Sequence, residues 1–308
     1  MVIAQHPAEL PRHPRGLCFA MGMFDGVHLG HQHVIRSALL DAATYGARTV
    51  VITFDPHPLA VVNPERAPLL LQTLAQRLRA IATLGADAVL VNRFTPEFAA
   101  RTGEDFIRGL QRDAGPIRSF SVGHGFHFGF QRSGNVPLLR SLGTELGFTT
   151  NACAPVSIGE ERVSSSLVRS SLRAGNLKQV AELLGRPYSF AGVVQHGDQL
   201  GRQLGFPTAN LDVHGLELPP FGVYATRVRL DAQTFPAALN LGVRPTVRSD
   251  RELRFEVHLI DFNGDLYGQE IEVVFVAKLR DEKRFSGPDA LKAQIAKDVA
   301  AARALLES

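Results

Sequence analysis

The chain has no tryptophan and only two cysteines, Cys18 and Cys153, in 308 residues. Two thiols far apart, with no CxxC pair, exclude a disulfide framework, and a reducing cytosol is the expected compartment. No apolar run approaches the roughly 18 residues that a membrane span needs. The first twenty residues lack a basic segment followed by an apolar one, so neither an anchor nor a secretory leader is expected. Charge of one sign is not in excess either. Lys and Arg number 33 against 30 Asp and Glu, a formal net charge of +3. The isoelectric point near 9.1 therefore reflects a dispersed charge. Nucleic-acid binders cluster Lys and Arg with interleaved aromatics, so nucleic acid is not an expected partner. Internal repeats and low-complexity tracts are absent as well. What remains is 45% hydrophobic and 20% charged residues, the balance of a soluble globular protein of about two domains.

The first half alternates between strand and helix patterns. Residues 16–21, 49–54 and 88–91 are short apolar runs of the kind that form buried parallel strands. Helical patterns fall at 31–45, 69–84, 106–110, 166–174 and 177–184, and 118–122 leads into a glycine-rich loop over 123–134. An α/β domain with a parallel sheet follows. After Gly185-Arg186-Pro187 the period changes to short β-rich runs at 191–194, 222–230, 255–260 and 271–275, separated by turn residues, as in a small β-barrel or sandwich. A last helix over 288–306 carries Leu291, Ile295, Val299 and Ala302 on one face. The expected domains are 1–185 and 186–308.

Residues 21–32 read M-G-M-F-D-G-V-H-L-G-H-Q. His28 and His31, three apart at a helix start near Gly30, can face one side, where backbone N–H groups and the helix dipole attract anions. Such a site suits a nucleotide triphosphate, stabilising charge on the α-phosphate and the leaving pyrophosphate. The plainer alternative is two surface histidines beside a turn. Metal ligation by the pair lacks a third ligand at useful spacing. Residues 164–169, S-S-S-L-V-R, offer hydroxyl caps and a charge-assisted phosphate contact from Arg169, or simply cap a helix. Together with H-x-G-H they look like the nucleotidyltransferase superfamily that transfers AMP or CMP.

Two further segments narrow the comparison: T-F-D-P-H-P at 53–58 and V-G-H-G-F-H-F-G-F-Q-R-S-G-N at 122–135. In this order the motifs resemble the bacterial bifunctional riboflavin kinase/FAD synthetase family, whose pattern runs G-x-F-D-G-x-H-x-G-H, T-F-x-P-H-P, V-G-x-D-F-x-F-G, S-S-x-x-I-R. This chain departs at Gly125, where the family usually has Asp, and at Met23, where it usually has Asn, Ser or Thr. Those departures leave open an alternative: a kinase with a degenerate N-terminal flavin- or nucleotide-binding module.

In the second half, residues 192–210 read G-V-V-Q-H-G-D-Q-L-G-R-Q-L-G-F-P-T-A-N. The glycines let backbone approach phosphates, although no G-K-[ST] follows to make a Walker A loop. Thr208 and Asn210, two apart on an extended segment, present two hard oxygens to one face, which suits Mg²⁺ shared with nucleotide phosphates. Glu256, in R-F-E-V-H-L-I-D-F, is either an exposed strand carboxylate or a general base for an alcohol attacking a γ-phosphate. The 192–210 segment matches the flavokinase pattern along its whole length, and the resemblance extends over nearly the whole chain.

The resemblance implies a Rossmann-like nucleotidyltransferase domain followed by a six-stranded β-barrel of the riboflavin kinase type with a terminal helix. It implies that riboflavin and ATP give FMN in the second domain, and FMN and ATP give FAD and pyrophosphate in the first, both with Mg²⁺. Neither reaction needs a protein nucleophile, in keeping with the lack of a Ser/His/Asp or Cys/His set. The implied catalytic residues are Glu256, His28 and His31. ATP and phosphate contacts are implied at Gly22, Phe24, Asp25, Gly30, Ser165, Ser166, Arg169, Gly197, Gly201, Arg202 and Gly205. Flavin contacts are implied at Asp55, His57, Phe126, Phe128, Arg244 and Arg280, and the metal at Thr208 and Asn210. The expected partners are these small molecules, with no membrane and at most weak self-association.

Overall fold

The computed structural model describes residues 1–197, 200–244 and 252–307, except the side chains of Leu200, Arg244 and Glu252. Contacts divide the chain into two compact units. One is Met1–Leu69 with Leu74–Leu167, and the other is Leu70–Thr73 with Val168–Ser308.

In the first unit β1 (Val2–Ala4), β2 (Leu17–Met21), β3 (Arg48–Asp55), β4 (Ala88–Arg93), β5 (Ile117–Gly123) and β6 (Thr149–Cys153) form a sheet of order β1-β4-β3-β2-β5-β6. Every pairing is parallel. All five residues of β2 are buried, as is β3 apart from its ends. A parallel strand covered on both faces loses its two-residue period, so such strands read as continuous apolar runs. One face packs Phe19, Ile52, Leu90 and Phe120 against α5 (Gly103–Ala114) and α6 (Val136–Leu146). The other packs Ala20, Val51 and Val89 against α1 (Leu29–Tyr45) and α3 (Leu74–Ala82). Two short helices, α2 (Pro58–Val62) and α4 (Pro96–Ala99), follow β3 and β4. Strand order reverses at β2, with β3 on one side and β5 on the other, and the carboxyl ends of these strands frame the crevice where α/β sheets bind ligands. A small hairpin of β7 (Ser157–Ile158) and β8 (Glu161–Arg162) precedes α7 (Ser165–Arg173), within which the division falls.

The helix expected over 69–84 is shorter, because only Leu74–Ala82 is helical. Leu70 instead donates its N–H to the Gly215 carbonyl (2.9 Å) and accepts from the Glu217 N–H (2.8 Å), with Leu71 buried. Backbone groups paired in this way cannot join a helix ladder. Strands β1 and β6 and helix α6 were not anticipated.

In the second unit β9 (Ser189–Gln195), β10 (Ala209–Leu211), β11 (Gly222–Leu230), β12 (Gln233–Arg244), β13 (Glu252–Leu259) and β14 (Glu270–Arg280) close into an antiparallel barrel of order β10-β13-β12-β11-β14-β9. Phe190, Tyr224, Phe255 and Phe275 fill it with ring contacts. Helices α8 (Leu177–Leu184), α9 (Leu200–Leu204) and α10 (Pro288–Glu307) complete the unit. Ala302 and Leu306 of α10 pack on Ala225, Ala238 and Ile260, where small strand residues let the helix approach closely.

Gly185 ends α8 in the left-handed region (φ 69°), a conformation that favours glycine. The G-R-P expected to mark the domain boundary thus includes the cap of a helix whose Val180, Leu183 and Leu184 are buried. Each such side chain stabilises by roughly 1.5–3 kcal/mol. A fragment 186–308 is therefore expected to melt at least about 10 °C below a fragment 168–308 in thermal circular dichroism. Equal melting temperatures would mean that α7 and α8 add nothing to the barrel's stability.

Candidate active sites

The loop between β2 and α1 is held in uncommon backbone conformations. Phe24, Gly26 and Val27 have φ of 54°, 84° and 41°. For non-glycine residues this strain is on the order of 1–3 kcal/mol each. Phe24 and Val27 are both 1% exposed, and their burial offsets it. His28 is the N-cap of α1, its Nδ1 accepting the His31 N–H at 3.3 Å. The His28 and His31 rings stack with centroids 3.6 Å apart and planes 18° from parallel, and Phe24 meets His31 edge-on at 5.3 Å. A methyl group on Gly30 would lie 3.1 Å from the His28 ring, and one on Gly22 3.1 Å from Phe24, so both positions are tight for any larger residue. Ser165 Oγ donates to the Asp25 carbonyl at 3.0 Å, which brings the serine run onto this loop, while Ser164 Oγ accepts the Leu167 N–H. Asp25 is buried and Ser166 exposed. Arg169, also buried, falls in the second unit.

After β3, Asp55 is half-exposed and joined to Pro56 by a cis peptide, and His57 caps α2 by accepting the Leu59 N–H at 3.1 Å. Arg77, from α3, joins this segment to the β2–α1 loop. Its Nη1 donates to the carbonyls of Met23 (3.1 Å) and Phe54 (2.9 Å) and to Thr53 Oγ1 (3.0 Å). Its Nη2 lies 3.8 Å from Asp55 Oδ1. Sequence reasoning missed Arg77. The available signal was an arginine three residues after Leu74 and four before Ile81, on the apolar stripe of its helix.

Beside these loops a cavity of about 730 Å³ is walled largely by Phe54, Phe94, Phe98, Phe106, Phe126 and Phe128. Phe126 and Phe128 stack at 5.7 Å. Met23 is on the wall, whereas Asp55 and His57 stand outside it. A Cβ on Gly125 would meet no atom within 4 Å, so the departure at this position leaves open space.

In the second unit Asn210, Glu256 and Asn240 are register partners across β10, β13 and β12. Their neighbours Val257, Leu239 and Leu241 are buried in the barrel, which puts the three polar side chains on its outer face. Asn240 Nδ2 donates to Glu256 Oε2 at 3.4 Å, and Arg254 Nη1 lies 4.0 Å from Glu256 Oε1. A Cβ on Gly197 would collide with the Asn210 amide, and one on Gly201 would lie 3.2 Å from Thr208 Oγ1. Both glycines thus leave room around the two oxygen-bearing side chains. Gly205 turns the chain with φ 91°.

Three cavities adjoin this face. One of about 300 Å³, beneath α10, is walled by Thr208, Glu256, Arg280, Phe285, Leu291 and Ile295 among others. One of about 420 Å³ is walled by Val194, Arg202, Thr208, Asn210 and Tyr267 among others. The smallest, about 220 Å³, touches Gly197, Asn210 and Glu256. Arg280 is held by a two-pronged ion pair, Nε and Nη2 to the Asp298 carboxylate of α10 at 2.9 and 2.7 Å. The side chain of Arg244, one of the implied flavin contacts, and residues 245–251 lie outside the described residues.

Two family models match the chain. One described as FAD synthetase matches residues 10–167 and one described as riboflavin kinase matches 184–306. A bifunctional riboflavin kinase/FMN adenylyltransferase of Pseudomonas fluorescens is 41% identical over 96% of this chain and 94% of its own. The protein of that name from Escherichia coli K12 is 40% identical over 98% and 94%. Among solved structures, one named as a macrolide-efflux protein from Streptococcus pneumoniae superposes with a TM-score of 0.82 at 28% identity, covering 98% of both chains. Among the described residues of this chain, no helix is long and apolar enough to cross a membrane.

The side chains of Arg280 and Asp298 are 14% and 9% exposed. Removing one partner of such a pair strands a poorly solvated charge. Asp298→Ala is expected to destabilise the second unit by about 3 kcal/mol, read by denaturant unfolding, with the first unit unaffected. A loss below about 1 kcal/mol would mean that the pair behaves as a surface bridge.

Proposed function

The chain belongs to the family of bifunctional riboflavin kinase/FMN adenylyltransferases, making FMN from riboflavin and FAD from FMN with ATP, and we propose that each unit runs one reaction on the residues described above. The observation that carries the kinase assignment is the row Asn210–Glu256–Asn240 on the barrel's outer face, with Thr208 on the walls of both larger cavities. Riboflavin takes the 300 Å³ cavity beneath α10, against Phe285, Leu291 and Ile295. ATP takes the 420 Å³ cavity, with Arg202 on its wall toward the phosphates, while Gly197 and Gly201 line the two neighbouring cavities. The 5′-hydroxyl and the γ-phosphate then meet near Thr208. Glu256 accepts the hydroxyl proton as the new O–P bond forms, the bond to the γ-phosphorus breaks, and ADP leaves. Asn240 orients the carboxylate.

Thr208 and Asn210 offer a hydroxyl and an amide oxygen in the space left by two glycines, a neutral oxygen pair that fits Mg²⁺ sharing its remaining positions with phosphates and water. Mg²⁺ screens phosphate charge when bound. Arg280 serves the flavin site indirectly, because its guanidinium is committed to holding α10 through Asp298.

For adenylyl transfer, FMN takes the phenylalanine-walled cavity and ATP the loop of Gly22, Phe24, Asp25 and Gly30. A phosphate oxygen of FMN attacks the α-phosphorus and pyrophosphate leaves. The stacked His28 and His31, at a helix N-terminus, stabilise the charge on both groups, and Ser165 and Ser166 add donors. Asp55 and His57 border the flavin's path to that loop.

Steady-state kinetics of the two half-reactions separate these assignments. His28→Ala and His31→Ala are expected to slow FAD formation by about tenfold to a thousandfold while sparing FMN formation. Glu256→Gln should lower kinase turnover by roughly a hundredfold. Thr208→Ala and Asn210→Ala should raise the Mg·ATP requirement of the kinase. Near-normal kinase turnover in Glu256→Gln would make this carboxylate structural. Equal loss of both activities in a folded histidine variant would refute the division between units.

A further inference from the structure

Arg77 is 0% exposed, among the largest fully buried side chains of the protein, and it lines none of the described cavities. An arginine keeps its charge at any physiological pH, so a site that buries it must supply compensating acceptors and anions. Here the acceptors come from the β2–α1 loop and from the end of β3 rather than from one packing surface. Nη1 takes the Met23 carbonyl from the segment after β2, and the Phe54 carbonyl and Thr53 hydroxyl from the end of β3. Thr53 Oγ1 in turn donates to the Met23 carbonyl at 2.8 Å, closing a three-membered network. The anions come from the same loops, since Asp55 Oδ1 is 3.8 Å from Nη2 and Asp25 is the second carboxylate acting on the guanidinium. Burial pushes the arginine's pKa down, and these two carboxylates oppose that shift.

Met23 begins the turn that carries Asp25 and His28, and Phe54 begins the turn that carries Asp55 and His57. Fixing both carbonyls to one rigid planar group fixes the spacing of the two turns. We propose that Arg77 is a positioning residue for adenylyl transfer, a buried cationic tie that sets the histidine-bearing loop against the loop of Asp55 and His57. The inference rests on the assignment of His28 and His31 to that reaction. A structural arginine would support folding alone, whereas a positioning arginine sets the geometry in which the imidazoles meet developing charge. Displacement by about 1 Å costs on the order of a hundredfold in such steps.

The test compares Arg77→Met, Arg77→Lys, Thr53→Val and His28→Ala in the full chain, measuring kcat and KM for FAD formation, with thermal circular dichroism as the folding control for the first unit and the kinase reaction as the control for the second. Arg77→Met is expected to lower kcat for FAD formation by roughly a hundredfold with KM values for FMN and ATP changed less than about threefold. Arg77→Lys, which keeps a cation between the carboxylates, should recover at least about a tenth of the wild-type kcat. Thr53→Val removes the bridging hydroxyl at nearly constant volume and should lower kcat by roughly tenfold, and it decides the question should Arg77→Met fail to fold. Normal kcat in Thr53→Val and Arg77→Met, a loss confined to KM, or a lysine variant no better than methionine would each overturn the proposal. If His28→Ala abolishes FAD formation while the Arg77 and Thr53 variants retain it, this inference alone fails. If His28→Ala is fully active, the site assignment itself fails.

Discussion

Main-chain polar groups at the end of a strand have lost their ladder partner and must find another, and both sites are built from the way this chain meets that requirement. Just beyond β2 and at the end of β3 the carbonyls of Met23 and Phe54 are taken by a buried guanidinium. The N–H groups of His31 in α1 and Leu59 in α2, unpaired within their helices, are taken by the imidazoles of His28 and His57. The Val27 carbonyl is taken by Gln32 Nε2 at 3.0 Å. Side chains with reactive or charged groups are thereby committed to the loops in fixed orientations, at the reversal of strand order where the parallel sheet leaves a crevice. The strained turn at Phe24 and Val27 survives because the same residues are buried against the sheet.

The second unit meets the requirement by closing its sheet. With no open edge, the barrel spends its interior on aromatic and aliphatic packing, and the polar cross-strand row of Asn210, Glu256 and Asn240 stands on its outer face. That face would be a surface were it not for α10. The helix buries Ala302 and Leu306 over Ala225, Ala238 and Ile260, and its first turns border a cavity at Leu291 and Ile295. The Arg280–Asp298 pair pins the helix midway along, beside the cavity. Arg280 also stands on the wall of that cavity, so the pair fixes part of its lining.

How much of this was legible follows from what each signal depends on. Local signals read well: the apolar runs of β2 and β3, the H-x-G-H turn, and α8, whose Asn176 cap and Gly185 stop bound the predicted segment. Strand β6 was hidden because T-T-N-A-C is barely apolar, and its Asn151 is stabilised by Asp41 of α1 at 2.6 Å rather than by burial of a hydrophobic side chain. Strand β12 was hidden by Pro236, which interrupts the β-propensity of a twelve-residue strand. Helix α6 opens on Val136-Pro137 behind a glycine-rich loop and reads as its continuation. Residues 70–73 read as helix because their apolar period suits one, and only their backbone partners at 215–217 decide otherwise. Arg77 and Asp298 are the instructive omissions. A charged residue on an apolar stripe has its meaning set by partners far away in sequence, at Met23 and Thr53 in one case and at Arg280 in the other.

The central claim is that two independent sites on one chain act in succession, the kinase on the barrel and the adenylyltransferase at the parallel sheet. Supplying riboflavin, ATP and Mg²⁺ to Glu256→Gln, to His28→Ala and to an equimolar mixture of the two, then separating flavins by chromatography, tests it in one measurement. The account predicts unreacted riboflavin with the first variant, accumulated FMN with the second, and FAD from the mixture, because FMN released by one chain is adenylylated by the other. FAD from either variant alone at the wild-type rate, or none from the mixture, would contradict it.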